Sequence, residues 1–154
     1  MRRQRGDAQP TDPVGVVLLS AGHAFRPEAI ECAVREANGA TIAVVVIARI
    51  HGSAYGLPNP GLMPNAREKA AALSHVETAI KDIRKRGGRA DGQVAIARSV
   101  VKIGAAVAKA RDAKVVVLDE PDQPAWRRFV EGSTSASLSR RLRHQARVEH
   151  VAGI

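Results

Sequence analysis

The sequence predicts a three-layer α/β/α domain with a five-stranded, mostly parallel sheet. Three observations carry the prediction. Continuous apolar runs recur along the chain, at Val14–Leu19, Ile42–Ile47 and Val115–Leu118. Unbroken runs of this length are what a strand covered on both faces requires. Between them lie segments with apolar residues at helical spacing, each with its own stop or capping signals. Finally, aromatic residues make up only 3% of the 154 residues, so Val, Ile, Leu and Ala must fill the interior.

The first strand, Val14 to Leu19, leads to Pro27, a favoured first helical residue. Ile30, Ala33, Val34 and Ala37 then recur at helical spacing, and Asn38-Gly39 stops the helix. Strand two covers Ile42 to Ile47. The stretch from His51 to Asn65 is rich in proline and glycine and reads as a loop. Asn65 caps the second helix, with Glu68 as its capping-box partner. The expected apolar stripe is Leu73, Val76, Ile80 and Ile83, and Gly87-Gly88 ends the helix. Strand three is expected at Gln93–Ala97. Ser99 caps a third helix that carries Val100, Ile103, Gly104 and Val107. Strand four is Val115–Leu118. A fourth helix spans Ser133 to Gln145 with Leu138 and Leu142 inward, and Val148–Ile154 is a short fifth strand. Strict β/α alternation implies right-handed crossovers and helices on both faces. Ligands of such sheets sit at the carboxyl ends of the strands. Here those ends fall near Ser20, Ile47, Arg98 and Asp119.

Residues 1–13 are polar, carry Arg2, Arg3 and Arg5, and are expected to be a disordered basic tail. Residues 14–154 are expected to form one domain. The formal net charge is +9. Its basic residues are scattered and rarely interleaved with aromatics, so solubility explains the charge and nucleic acid is not the expected partner. One cysteine, Cys32, excludes an internal disulfide and suits a reducing, cytoplasmic setting. No apolar run approaches the roughly 20 residues of a membrane helix, so no membrane is expected. No Cys/His spacing fits a zinc site, and no catalytic residue is assigned.

The stretch WRRFVEGSTSASLSRRLRH, from Trp126 to His144, resembles the universal stress proteins. There an arginine-rich loop leads into Gly-Ser, then into a helix ending in Leu-Arg-His, and a short strand closes the chain. The resemblance covers residues 14–154 in layout and implies the adenine nucleotide alpha hydrolase-like fold. It also implies a stress-response or regulatory role as a non-catalytic homodimer, paired through the last strand and open to further protein partners. Nucleotide-binding members place glycine, two residues, glycine, nine residues, then glycine and Ser or Thr around the phosphates. With the last glycine on Gly132, the first two positions are Asp119 and Asp122, and Ser20 stands where those members carry Asp. Acidic side chains there repel phosphate and block the backbone approach that glycine allows. The expectation is therefore no cofactor and no ATP held in the family manner. By the same reasoning, glycine at positions 119 and 122 would help restore a phosphate site. Asp119, Glu120 and Asp122 are otherwise read as a solvated acidic loop.

The alternative is an adenine-nucleotide sensor for ATP or AMP that uses Gly132, Ser133 and Thr134. Arg127 would neutralise phosphate, Ser20 would lie at the end of strand one, and Ile47 would line the adenine pocket. A more remote alternative rests on Gly22-His23-Ala-Phe-Arg26, which is similar to a stretch of small tetrapyrrole metal chelatases and would make His23 a metal ligand.

Overall fold

The computed structural model describes residues 12–49, 65–120, 134–142 and 145–152. Most of the expected tail and the stretches that hold Arg127, Gly132 and Ser133 lie outside the described residues. Along the chain the elements are β1 (Val16–Ser20), α1 (Pro27–Ala37), β2 (Thr41–Arg49), α2 (Ala66–Lys85) and β3 (Arg89–Ala97). They continue with α3 (Val100–Ala110), β4 (Val115–Glu120), α4 (Thr134–Arg141) and β5 (Arg147–Ala152). The strand order is β3-β2-β1-β4-β5, and all four pairings are parallel.

Alternation within each strand divides the core in two. Val16, Leu18, Ile42, Val44, Val46 and Val117 meet α1 and α2 through Ile30, Ala33, Val76 and Ile83. Val17, Leu19, Val45, Ile47, Val116 and Leu118 face the opposite way, against Val100, Ala105 and Ala108 of α3, Leu138 of α4 and Leu142 just after it. Burial on both faces is why these strands read as continuous apolar runs rather than alternating ones.

The local signals act as their chemistry requires. Pro27 opens α1, and Asn38 closes it in the left-handed region at φ 45°. The Asn65 side chain accepts the Glu68 N–H, and the Ser99 side chain accepts the Lys102 N–H. Several boundaries differ from the expectation: β2 runs to Arg49, β4 to Glu120, and β5 spans Arg147–Ala152. β3 begins at Arg89, because an edge strand tolerates the polar Arg89, Asp91 and Gln93 that hid its first half. α4 ends at Arg141 rather than Gln145. The stripe of α2 is also rotated. Ala72, Val76, Ala79 and Ile83 are buried, while Leu73 is 49% exposed. Small alanines let the helix lie close to the sheet, and Gly92 of β3 completes that approach. A Cβ there would stand 2.4 Å from a Val76 methyl.

Cys32 is a buried free thiol on α1. Burial pushes it above its ordinary value of 9.0, the nearby Arg35 opposing the shift and Glu36 adding to it. The folded chain therefore holds this proton to higher pH than the unfolded chain does. The associated stability is complete below the unfolded value and is lost as the pH rises from there through the folded one. In urea titrations the parent protein is expected to lose stability above about pH 9 more steeply than Cys32→Ala. Parallel pH curves for the two would refute this.

Candidate functional site

Strand order reverses direction between β1 and β4, and the crevice outside their carboxyl ends is where a doubly wound sheet places ligands. Ser20 ends β1 and pairs in register with Asp119 on one side and Val46 on the other. Ser20 and Asp119 thus come together with β2 one residue before Ile47. Thr134 is the first residue of α4. Arg127, Gly132 and Ser133 fall outside the described residues.

Ser20 is fully buried. Its hydroxyl donates to the His23 carbonyl at 2.7 Å and accepts the His23 N–H at 3.2 Å. That small hydroxyl closes the β1–α1 loop on itself. His23 Nε2 lies buried without a hydrogen-bond partner among the described residues. No group of three or more His, Cys, Asp or Glu side chains able to hold a metal occurs among the described residues.

Asp119 corrects the expectation of a solvated acidic loop. It belongs to β4 and is 0% exposed. Its Oδ2 accepts the Arg26 N–H at 2.9 Å, and its Oδ1 accepts from Arg26 Nε at 2.8 Å and Nη2 at 2.5 Å. The same Nη2 reaches the carbonyls of Glu120 (2.9 Å) and Val151 (2.7 Å). A carboxylate cannot be buried without such a partner. Asp119 also holds the backbone N–H of Arg26, the residue at the N-cap of α1, whose own side chain makes no capping bond. Arg26 therefore fastens α1, β4 and β5 together at the carboxyl edge of the sheet. Sequence reasoning passed over Arg26, noting it only within the loop after β1. Its available signal was the acidic end of an otherwise apolar strand, which demands a cation.

A cleft of about 250 Å³ lies between the β1–α1 loop, the C-terminal part of β2 and the first turns of α2. Ala21, Gly22, Ile47, Ala48, Ala71 and Ala72 line it, and Glu68 adds a carboxylate. Ile47 is fully buried, so side-chain packing and pocket lining coexist at that position. Gly22 adopts φ +92°, and a Cβ there would stand 3.1 Å from the Ile47 carbonyl oxygen. Glycine thus permits both the turn and the width of the cleft.

No protein-family model and no curated protein matches the sequence. Solved structures do. A universal stress protein in complex with cAMP superposes with a TM-score of 0.63 at 15% identity, covering 92% of this chain and 98% of its own. The universal stress protein of Archaeoglobus fulgidus gives 0.59 at 15% identity, covering 90% and 93%. The same archaeal protein in complex with dAMP gives 0.54 at 17% identity, covering 88% and 96%. The fold is that of the universal stress proteins. In this universal stress fold the cleft at Gly22 and Ile47 occupies the carboxyl edge of the sheet, next to the crossover crevice. No helix among the described residues is long and apolar enough to cross a membrane.

Proposed function

We propose that this chain is a non-catalytic regulatory protein of the universal stress kind, a homodimer whose cleft takes a nucleoside or nucleoside monophosphate rather than ATP. The observation that carries the reading is the pairing of a small apolar cleft with a crossover crevice whose acid is already consumed. At about 250 Å³ the cleft lies just under the usual range for small-molecule sites, a size suited to a base and part of a sugar. Glu68 can accept hydrogen bonds from ribose hydroxyls or an exocyclic amino group, and it repels phosphate. Two of the similar structures carry the monophosphates cAMP and dAMP. The polar groups at the end of β1 and β4 are spent on structure. Ser20 closes its loop and Asp119 holds Arg26, which supports binding rather than bond-breaking chemistry.

The dimer rests on β5, which pairs with β4 and is the last strand of the sheet among the described residues. An open strand edge is normally paired or covered.

Calorimetry with AMP, cAMP, adenosine and magnesium-ATP tests the ligand, and sedimentation tests the assembly. The monophosphates are expected to bind at least about tenfold more tightly than ATP, a difference of roughly 1.4 kcal/mol. The full chain is expected to sediment as a dimer at high micromolar concentration, and deletion of 148–154 to abolish it. Micromolar ATP binding, or a monomeric full-length protein, would overturn the corresponding half of the proposal.

A further inference from the structure

We propose that the outer edge of β3 takes an extended peptide segment of a partner protein, added as a further strand, whose short apolar centre is flanked by acidic residues. The proposal goes beyond the nucleoside reading and does not depend on it. β3 pairs with β2 residue for residue, from Thr41 with Arg89 to Arg49 with Ala97, without a bulge. It is an outermost strand of the sheet among the described residues, and such a strand offers its outward backbone N–H and C=O groups to an added one. Proteins normally blunt an edge with a short strand, a lysine, a proline or a bulge. β3 runs for nine residues, where about five or six is usual. From Gly92 to Ala97 it holds neither a charge nor a proline. Its one acid, Asp91, is bound to Arg111.

The helix beside it adds an apolar shoulder. Ile80 of α2 comes within 3.1 Å of the place a Gly92 Cβ would take, and Leu73 stands about two turns earlier on the same side of the helix. Glu68 and Ala71 lie on the other side and line the cleft. Ala90 and Val94 pack on the α2 face of the sheet, so strand alternation sends Ile96 the same way. Leu73 and Ile96, at 49% and 42% exposure, are the exposed large hydrophobics among the described residues, and both flank this edge. The opposite face of the strand offers Gln93 and the small Ala95 and Ala97, which pack toward α3. A segment laid along β3 is thus read on one face, with an apolar side chain at every second position. Exposed arginines bracket the apolar stretch, Arg89 at one end and Arg98 at the other, and they decide the occupant. A second copy pairing antiparallel about Val94 would set Ile96 opposite Gly92. It would also bring Arg98 opposite Ala90, beside Arg89 of the other copy, at both ends. Like charges so placed destabilise a strand pair, and each chain carries a net charge of +9. Acidic flanks turn both ends from repulsion to attraction.

The test uses the full-length protein and the synthetic peptide Asp-Glu-Val-Thr-Val-Thr-Val-Glu-Asp, blocked at both ends. Amide hydrogen exchange is expected to slow in β3 when the peptide is added and to stay unchanged in β5. The same peptide with lysine in place of its acids is expected to bind at least about tenfold more weakly at low salt, and the gap to narrow at high salt. Ile96→Lys places on the strand the kind of charge that guards natural edges. It is expected to weaken the acidic peptide at least about tenfold while the melting temperature stays within about 2 °C, as for a surface substitution. Should Ile96→Lys fail to fold, Arg98→Glu at an exposed position serves instead, and is expected to weaken the acidic peptide and strengthen the lysine one. Protection that falls on β5 rather than β3, or equal binding of the two peptides, would overturn the proposal. So would protection of β3 that rises with protein concentration in the absence of peptide, because the occupant would then be a second copy. Titration with AMP and adenosine reports on the nucleoside reading separately, so either can fail while the other stands.

Discussion

Asp119→Gly is expected to destabilise the protein by about 3 kcal/mol and to give no gain in ATP affinity. Breaking one side of a buried ion pair typically costs 3–5 kcal/mol, because the surviving charge is left without its partner. The lower end applies here, since Arg26 is 28% exposed and can recover some water. The loss has a second source. Asp119 Oδ2 accepts the backbone N–H of Arg26 at the N-cap of α1, and a lost hydrogen bond typically costs about 1 kcal/mol. Glycine at 119 also replaces a strand residue with one of high backbone entropy. The motif-based expectation that glycine there helps open a phosphate site therefore reverses. The acid does not repel a ligand across a loop, because it is sealed under Arg26. Asp119→Asn keeps a carbonyl oxygen for the N–H and is expected to fall between the parent and the glycine variant. Urea unfolding at constant m-value measures all three. A glycine variant within 0.5 kcal/mol of the parent, about the size of an ordinary surface substitution, would show that the pair contributes nothing net.

How much of this was legible follows from the range over which each signal acts. Val16–Leu19, Ile42–Ile47 and Val115–Leu118 are unbroken aliphatic runs because both faces of a parallel sheet are dry. That demand is local and visible. So are Asn65 with Glu68 and Ser99 with Lys102, where the cap and its target lie three residues apart. Leu73 was misplaced because an apolar residue on a helix does not show how far the helix is rotated. The buried alanines at 72 and 79 and the close approach of Val76 to Gly92 settle it. Arg26 and Asp119 are 93 residues apart, and no spacing rule joins them. The glycine motif was legible as a pattern of positions. It could not reveal that the side chain at 119 turns into the protein.

The second large effect lies at the opposite edge of the sheet. Asp91→Ala is expected to cost about 3–5 kcal/mol, a fall in melting temperature of roughly 6–20 °C for a protein of this size. Arg111 follows α3 and is 4% exposed. It continues the stripe of Val100, Gly104 and Ala108, so a charge arrives where the helix faces the sheet. Its guanidinium is bound in parallel by Asp91, Nη1 to Oδ1 at 2.9 Å and Nη2 to Oδ2 at 2.7 Å, while Nε donates to the Asp12 carbonyl at 2.6 Å. Asp91 sits on β3, on the same face as Ala95 and Ala97, which pack toward α3. The pair therefore fastens the end of α3 and the chain entering β1 to an edge strand. The two halves are not equivalent. Asp91 is 34% exposed and can be rehydrated, whereas Arg111 is 5% exposed in its side chain and cannot. Losing the acid strands a buried cation, while losing the base leaves a carboxylate near water. Arg111→Met, which keeps the apolar stem, is accordingly expected to cost about 1–2 kcal/mol, within the range for a buried polar group left without its partner. In Asp91→Ala/Arg111→Met no charge remains to be stranded, so the double variant is expected to recover most of the loss of Asp91→Ala. A double variant whose losses simply add would mean that Asp91 stabilises β3 for a reason unrelated to Arg111.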